Sequence, residues 1–213
     1  MATFKGVVKA RIVDVRFATS GKITVVKKFT GDTVKKGDHI ASLDRKVPQV
    51  TLDRELADFE KVRADFEIFN QKNPNPTEAI DKYLKTEKQA TLNASVKNVE
   101  LAKAALDQCD LYSPVDGAVM DDNSVVPGLN ITPASSPFKI IDSSSYYVEV
   151  EIGEKDIGKF QKPCDVTVKV RGVGKSLKSQ TSPIFSDSKK FLFKVKLDDP
   201  QNLLLGLSVE VHL

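Results

Sequence analysis

The most constraining feature of this sequence is one long interruption. From about residue 49 to residue 72 there is neither Gly nor Pro, and Leu52, Leu56, Phe59, Val62, Phe66 and Phe69 recur at spacings of four and three. That period places the apolar side chains on one stripe of an amphipathic helix. Asn73-Pro74-Asn75-Pro76 must end it, because proline lacks an N–H and restricts the residue before it. Thr77 is then expected to cap a second helix with Glu78 in its first turn, running to about residue 108. Its stripe comprises Ile80, Leu84, Leu92, Val96, Val99, Ala102 and Leu106 and weakens over 85–91, where Lys85, Glu87, Lys88 and Gln89 crowd the face. Two such helices joined by a tight turn predict an antiparallel hairpin about 35–50 Å long. Each helix has one apolar stripe, so the pair either projects into solvent or packs on another element; a helical layer over a sheet is the alternative.

Both flanks of this helical insertion read as β-structure. Val13, Val15 and Phe17 alternate with Asp14, Arg16 and Ala18. Gly-Asp pairs then punctuate short β-branched runs in Thr30-Gly31-Asp32-Thr33-Val34 and Lys36-Gly37-Asp38, ahead of the apolar run His39–Leu43. After the hairpin, Ser113-Pro114-Val115-Asp116-Gly117-Ala118-Val119, the run 125–131 and Phe138–Asp142 repeat the design. Ser20-Gly21-Lys22-Ile23 is echoed by Asp116-Gly117-Ala118-Val119, and Gly37-Asp38-His39-Ile40 by Gly128-Leu129-Asn130-Ile131. Two related half-units therefore flank the insertion and are expected to pair into one small β-unit. Gly21, Gly31, Gly37, Gly117 and Gly128 are read as turn glycines.

The remainder has a third character. Val148, Val150 and Ile152, then Val166, Val168 and Val170, then Phe191, Phe193, Val195 and Leu197 (against Leu192, Lys194, Lys196 and Asp198), then Val209, Val211 and Leu213 alternate at period two. Four such strands suggest a small antiparallel barrel or sandwich, with Asp156–Phe160 as a helical turn between the first two. The expected division is thus 12–48 with 110–142 as one β-unit, 49–109 as the hairpin, and 1–11 with 143–213 as the barrel.

Composition excludes several functions. The 213 residues hold 32 Lys and Arg against 29 Asp and Glu, a net charge of +3 that is spread along the chain, and Trp is absent. Nucleic-acid binding is therefore not expected. The only cysteines, Cys109 and Cys164, fall in different units and are not expected to pair, and the separated His39 and His212 supply no zinc motif. Each histidine reads as a strand residue rather than a catalytic base. No apolar run approaches a membrane span, and Met1–Lys5 lacks a signal-peptide core; the chain is cytoplasmic, or a targeting segment precedes these residues.

The ordered set of motifs resembles the membrane fusion, or periplasmic adaptor, family of bacterial exporters (hemolysin-secretion-D-like). Ser20–Ile23 through Gly31–Asp38 to Leu43-Asp44 resembles the family's first half-lipoyl motif, and Leu111–Gly117 its return from the coiled coil into the second half. Val150–Ile157 resembles the opening of the family's barrel, and Gly206–Val211 its closing strand. The resemblance implies a mainly β fold: a lipoyl-like β-sandwich built from two half-motifs, an inserted coiled-coil hairpin, and a small antiparallel barrel. It implies a non-enzymatic, extracytoplasmic strut, without a cofactor or metal. Such a strut would assemble as a homo-oligomeric ring on an inner-membrane pump, ATP-driven or ion-driven, and reach an outer-membrane channel where there is one. The family's membrane-proximal domain and its signal or anchor are not recognised in these residues. The family's hairpin tip meets the partner; here that is Phe69, Asn70, Gln71, Lys72, Asn73, Pro74, Asn75, Pro76, Thr77 and Glu78. Tip signatures combining Arg, Leu and Ser are not evident near Arg63 or Lys72, so no particular channel is implied.

Blander and rival readings run alongside. Phe59, Phe66 and Phe69 are hairpin core before they are a ligand face, although Phe69, if exposed, would be an anchor. Glu60, Lys61, Asp65, Lys82, Lys85 and Lys97 are solvated charges, or flanks that meet a neighbouring hairpin. Asp32 and Asp38 read as turn caps rather than calcium ligands. A lipoyl or biotinyl carrier would need an exposed lysine on a tight turn; Lys46 is the nearest, but the chain departs into a helix there. The remaining alternative is a stand-alone interaction protein that uses the hairpin.

Overall fold

The computed structural model describes residues 2–75, 77–135, 138–160, 162–170, 175–187, 190–197 and 203–213. Met1, Pro76 and Asp198, which entered the sequence reading, lie outside the described residues. The chain opens with β1 (Thr3–Lys9), β2 (Ile12–Val15), β3 (Gly21–Val26), β4 (Thr33–Val34) and β5 (His39–Leu43). Helices α1 (Lys46–Lys72) and α2 (Ala79–Asp107) follow, then β6 (Asp110–Tyr112), β7 (Gly117–Asp121), β8 (Asn130–Ile131) and β9 (Phe138–Asp142). The last stretch holds β10 (Tyr147–Ile152), a 3₁₀ segment (Glu154–Phe160), β11 (Asp165–Val170), β12 (Lys175–Gln180), β13 (Phe185–Asp187), β14 (Lys190–Lys196) and β15 (Ser208–His212).

The two echoing halves interleave. One sheet runs β2-β9-β7-β4 and the other β6-β5-β3-β8, so each takes strands from before and after the helices. The interleaving is reciprocal. The Gly31 amide donates to the Val119 carbonyl and the Val119 amide to the Asp32 carbonyl. In the other half the Gly128 amide donates to the Ile23 carbonyl and the Ile23 amide to the Leu129 carbonyl. Between the sheets Phe17, Ile23, Val34, Ile40, Leu43, Val119, Phe138 and Ile140 are buried in one cluster. Buried apolar side chains of this size each stabilise by roughly 1.5–3 kcal/mol before chain entropy is subtracted.

The other sheet has the order β12-β11-β15-β1-β10-β14-β13. Its two end strands are consecutive in the chain, and Thr181, just after β12, bridges to Val195 of β14, so a single bent segment, 175–187, closes the sheet on itself. Strand β1 lies between β15 and β10, with Phe4 opposite Val211 and Val8 opposite Val148. Val8, Val148, Val150, Val168, Phe193, Val195 and Val211 fill the interior. Phe160, delivered by the 3₁₀ segment, stacks on Phe193 at 4.5 Å between ring centroids and forms a T-shaped pair with Phe4 at 5.2 Å.

Several expectations need correction. Strand β12 and the short β13 were not foreseen. Of the run 125–131 only Asn130–Ile131 is a strand; 125–129 turns, burying Val125. Helix α1 begins at Lys46, so Pro48 sits in its first turn, where an N–H has no intrahelical acceptor to lose. Thr77 does not cap α2: Glu78 is the N-cap, without a side-chain hydrogen bond. Gly21 and Gly117 open strands rather than occupy turns. A Cβ on Gly117 would lie 1.7 Å from the Ile141 carbonyl oxygen, and one on Gly21 3.1 Å from Leu43 Cδ1. Gly117 excludes a side chain because the β9 backbone passes there, whereas at Gly21 the Leu43 side chain would have to give by a few tenths of an ångström. Gly31, Gly37 and Gly128 have positive φ, with open space around them.

Candidate partner-binding surface

The two helices pack against each other. Their seam is narrow: α1 has no buried residue, and α2 buries only Ser95, Ala102 and Leu106. On α1 the half-buried seam comprises Leu52, Phe59, Val62, Phe66 and Phe69, while Leu56 stays exposed. On α2 it runs through Asp81, Lys85, Lys88, Leu92, Val96 and Val99, so Lys85 is half-buried rather than fully solvated. Ile80 and Leu84 leave the predicted stripe and stand exposed. The physical reason is that the second helix faces only one partner, so a stripe wider than one seam cannot all be covered.

At the tip, Gln71, Lys72, Pro74, Asn75, Thr77 and Glu78 are exposed, and Phe69, Asn70 and Asn73 are half-buried. The Asn73 amide donates to the Phe69 carbonyl at 2.9 Å, which closes α1. Asn70 Oδ1 is buried with no donor among the described residues. The apolar surface near the tip comes from residues the sequence reading did not single out for it. Ile68 and Ile80 are exposed, and Tyr83 is 76% exposed. Their signal was available, because Ile68 and Tyr83 fall outside the seam stripe. At the opposite end of the hairpin Val47, Val50 and Leu101 are exposed.

The hairpin is rooted in the sandwich by a polar cluster. Asp110, the first residue after the α2 end-turn, accepts from the Ser42 hydroxyl at 2.7 Å and pairs with Arg45 at 3.2 Å. His39 Nε2 lies 2.8 Å from Ser42 Oγ. The Ser42 hydroxyl donates to Asp110, and the imidazole nitrogen meets the same hydroxyl oxygen. The cluster therefore ties β5, β6 and the entry to α1 together. Cys109 is buried beside it and Cys164 is separate; both are free thiols. Burial pushes the Cys109 thiol up, with the Asp110 charge adding to it.

The Asp residues of the Gly-Asp turns cap them. Asp32 accepts from the Phe29 amide at 2.8 Å and Asp38 from the Lys35 amide at 3.1 Å. The Lys35 amide, then Lys28, hold the Asp38 carboxyl below the usual range. Lys46 is exposed at the start of α1, with its amide bonded to Asp44. Among the described residues no group of three or more His, Cys, Asp or Glu is placed to hold a metal ion, and no helix is long and apolar enough to cross a membrane.

No family model matches the sequence, and no curated protein matches it significantly. Solved structures do match. A chimera of MacA and MexA carrying the Pseudomonas aeruginosa MexA α-hairpin domain aligns over 99% of this chain and 80% of its own, with a TM-score of 0.82 and 21% identity. The fold is that of the membrane fusion and periplasmic adaptor proteins. The membrane fusion protein Spr0693 from Streptococcus pneumoniae aligns over 100% of this chain and 98% of its own, with a TM-score of 0.74 and 17% identity. The periplasmic adaptor protein EmrA aligns over 99% and 97%, with a TM-score of 0.52 and 17% identity. The adaptor fold thus spans the sandwich, the helices and the closed sheet together, at identities that speak for fold.

Proposed function

We propose that this chain is an extracytoplasmic adaptor subunit of a bacterial transmembrane exporter. It binds and scaffolds rather than catalyses. In this reading the chain has three working parts: the lipoyl-like unit 12–48 with 110–142, the coiled-coil hairpin 49–109, and the barrel 1–11 with 143–213. The β-units dock on an inner-membrane pump and stack side by side in a ring. The hairpin carries its tip, Phe69 to Glu78 including Pro76, outward to a second partner such as an outer-membrane channel.

One observation carries the reading. Two helices of 27 and 29 residues stand on a sandwich whose own core is complete, and they bury almost nothing beyond their mutual seam. A chain gains little stability from such an arm, so its exposed surface is explained by what it meets. Tyr83, Ile80 and Ile68 supply the aromatic and apolar contacts that interface cores favour.

Co-purification from detergent-solubilised envelope membranes of the native cells tests this, with the retained proteins identified by mass spectrometry. The proposal expects a polytopic transporter in stoichiometric amount. Retention of soluble cytoplasmic proteins alone would contradict it and favour a stand-alone interaction protein.

A further inference from the structure

Among the described residues the sandwich and the barrel share no core residue, and the chain crosses between them twice. The first crossing, between β1 and β2, is Ala10-Arg11; the second, between β9 and β10, is 143–146. Two short crossings alone leave a hinge. Here they are bonded to each other. The Asp142 amide donates to the Arg11 carbonyl at 2.9 Å, and the Arg11 amide donates to Ser145 Oγ at 2.8 Å. The Ser145 hydroxyl returns to the Asp142 carbonyl at 2.9 Å.

At the centre is the Asp142 carboxylate, only 2% exposed. One oxygen receives both Arg11 Nε, at 3.1 Å, and Arg11 Nη2. The other receives the Ser144 amide at 2.9 Å and the Ser144 hydroxyl at 2.6 Å. Ser143 then ties the second crossing to the sandwich, its amide donating to the Asp116 carbonyl at 2.9 Å. A carboxylate this fully covered keeps its charge only while its partners hold position, so the node fixes both crossings in one geometry.

We propose that the Arg11–Asp142 node is an orientation lock, which holds the barrel at one angle to the sandwich and whose loss frees the two units to swing without unfolding either. The inference does not depend on the adaptor reading, since it concerns the isolated chain. In a Cys164→Ser background, spin labels on Lys27→Cys in the sandwich and Lys178→Cys in the barrel report the angle as a distance distribution. Both positions are exposed. The lock predicts one narrow distribution for the parent and one at least about two-fold broader for Arg11→Gln, with circular dichroism unchanged. Asp142→Asn should broaden it as well; if that variant fails to fold, Arg11→Gln decides alone, because the Arg11 side chain is 65% exposed and its loss leaves no buried cavity. An Arg11→Gln distribution as narrow as the parent's would overturn the proposal.

Discussion

The barrel and the helical pair spend their apolar residues differently. In the barrel, the alternate residues Val148, Val150 and Ile152 of β10 are buried, and the same pattern recurs in β11 and β15. In α1 not one residue is buried. The barrel therefore completes its own core, while the helices carry their apolar residues without enclosing them. Elements of the second kind sit at the low end of local stability and are the ones a partner can order or protect.

That contrast can be broken or sharpened by substitution, taking the largest effect first. Phe160→Ala removes a ring packed between Phe193 and Phe4, and should lower the unfolding free energy by about 3–5 kcal/mol in urea titration. A loss below 1 kcal/mol would mean the barrel core is no tighter than the hairpin seam. Gly117→Ala forces a Cβ into the Ile141 carbonyl and should cost about 3 kcal/mol, whereas Gly21→Ala meets the Leu43 side chain, which can give by a few tenths of an ångström, and should cost about 1 kcal/mol. Equal costs would refute the close-approach account. On the hairpin, Leu101→Ala, at 70% exposure, should change stability by less than about 0.5 kcal/mol by the same titration. A larger loss would show that this face is covered within the chain itself.

The pH dependence sharpens the contrast at the junction between units. Burial works against ionisation of Asp142, but the Ser144 donors and Arg11 outweigh it and hold the carboxyl below its ordinary value. A carboxyl depressed in the folded state contributes stability that is fully present above its unfolded pKa of about 3.9 and is lost as pH falls through the lower folded value. Acid titration of Asp142→Asn should therefore show a shallower loss of stability below about pH 4 than the parent, with little difference in that slope near neutrality. Parallel acid limbs would remove Asp142 from the account.

Much of the architecture was legible because it rests on period. The strands β10, β11 and β15 alternate branched apolar residues with polar ones, β14 keeps the period except at Leu192, which is buried too, and the two helices show their stripe and their proline stop. The Gly-Asp turns were legible for a local reason, since Asp32 and Asp38 cap amides within three residues. What escaped was set by distance in space. Strand β12 reads as Lys-Ser-Leu-Lys-Ser-Gln, with Leu177 its one apolar residue, so no period could announce it. Gly117 looked like a turn glycine because the carbonyl it must avoid is on β9, across the sheet. Ile80 and Leu84 looked like seam because sequence gives a helix's stripe but not how much of it one partner covers. At the candidate surface, the tip's position between the helices was readable, while the exposed Ile68 and Tyr83 beside it emerged only once the seam was drawn. The Arg11–Asp142 node joins residues far apart in sequence, and nothing local marked either of them.

The central claim is that the hairpin is an arm whose exposed end meets a partner. Photo-crosslinking from Asn73 and from Tyr83 in native cells, with the full-length protein and mass-spectrometric identification of the adduct, tests it most directly. The account predicts that both positions capture the same envelope protein, while a probe at Lys178 on the barrel does not capture it. Capture of no envelope protein from either tip position would contradict it.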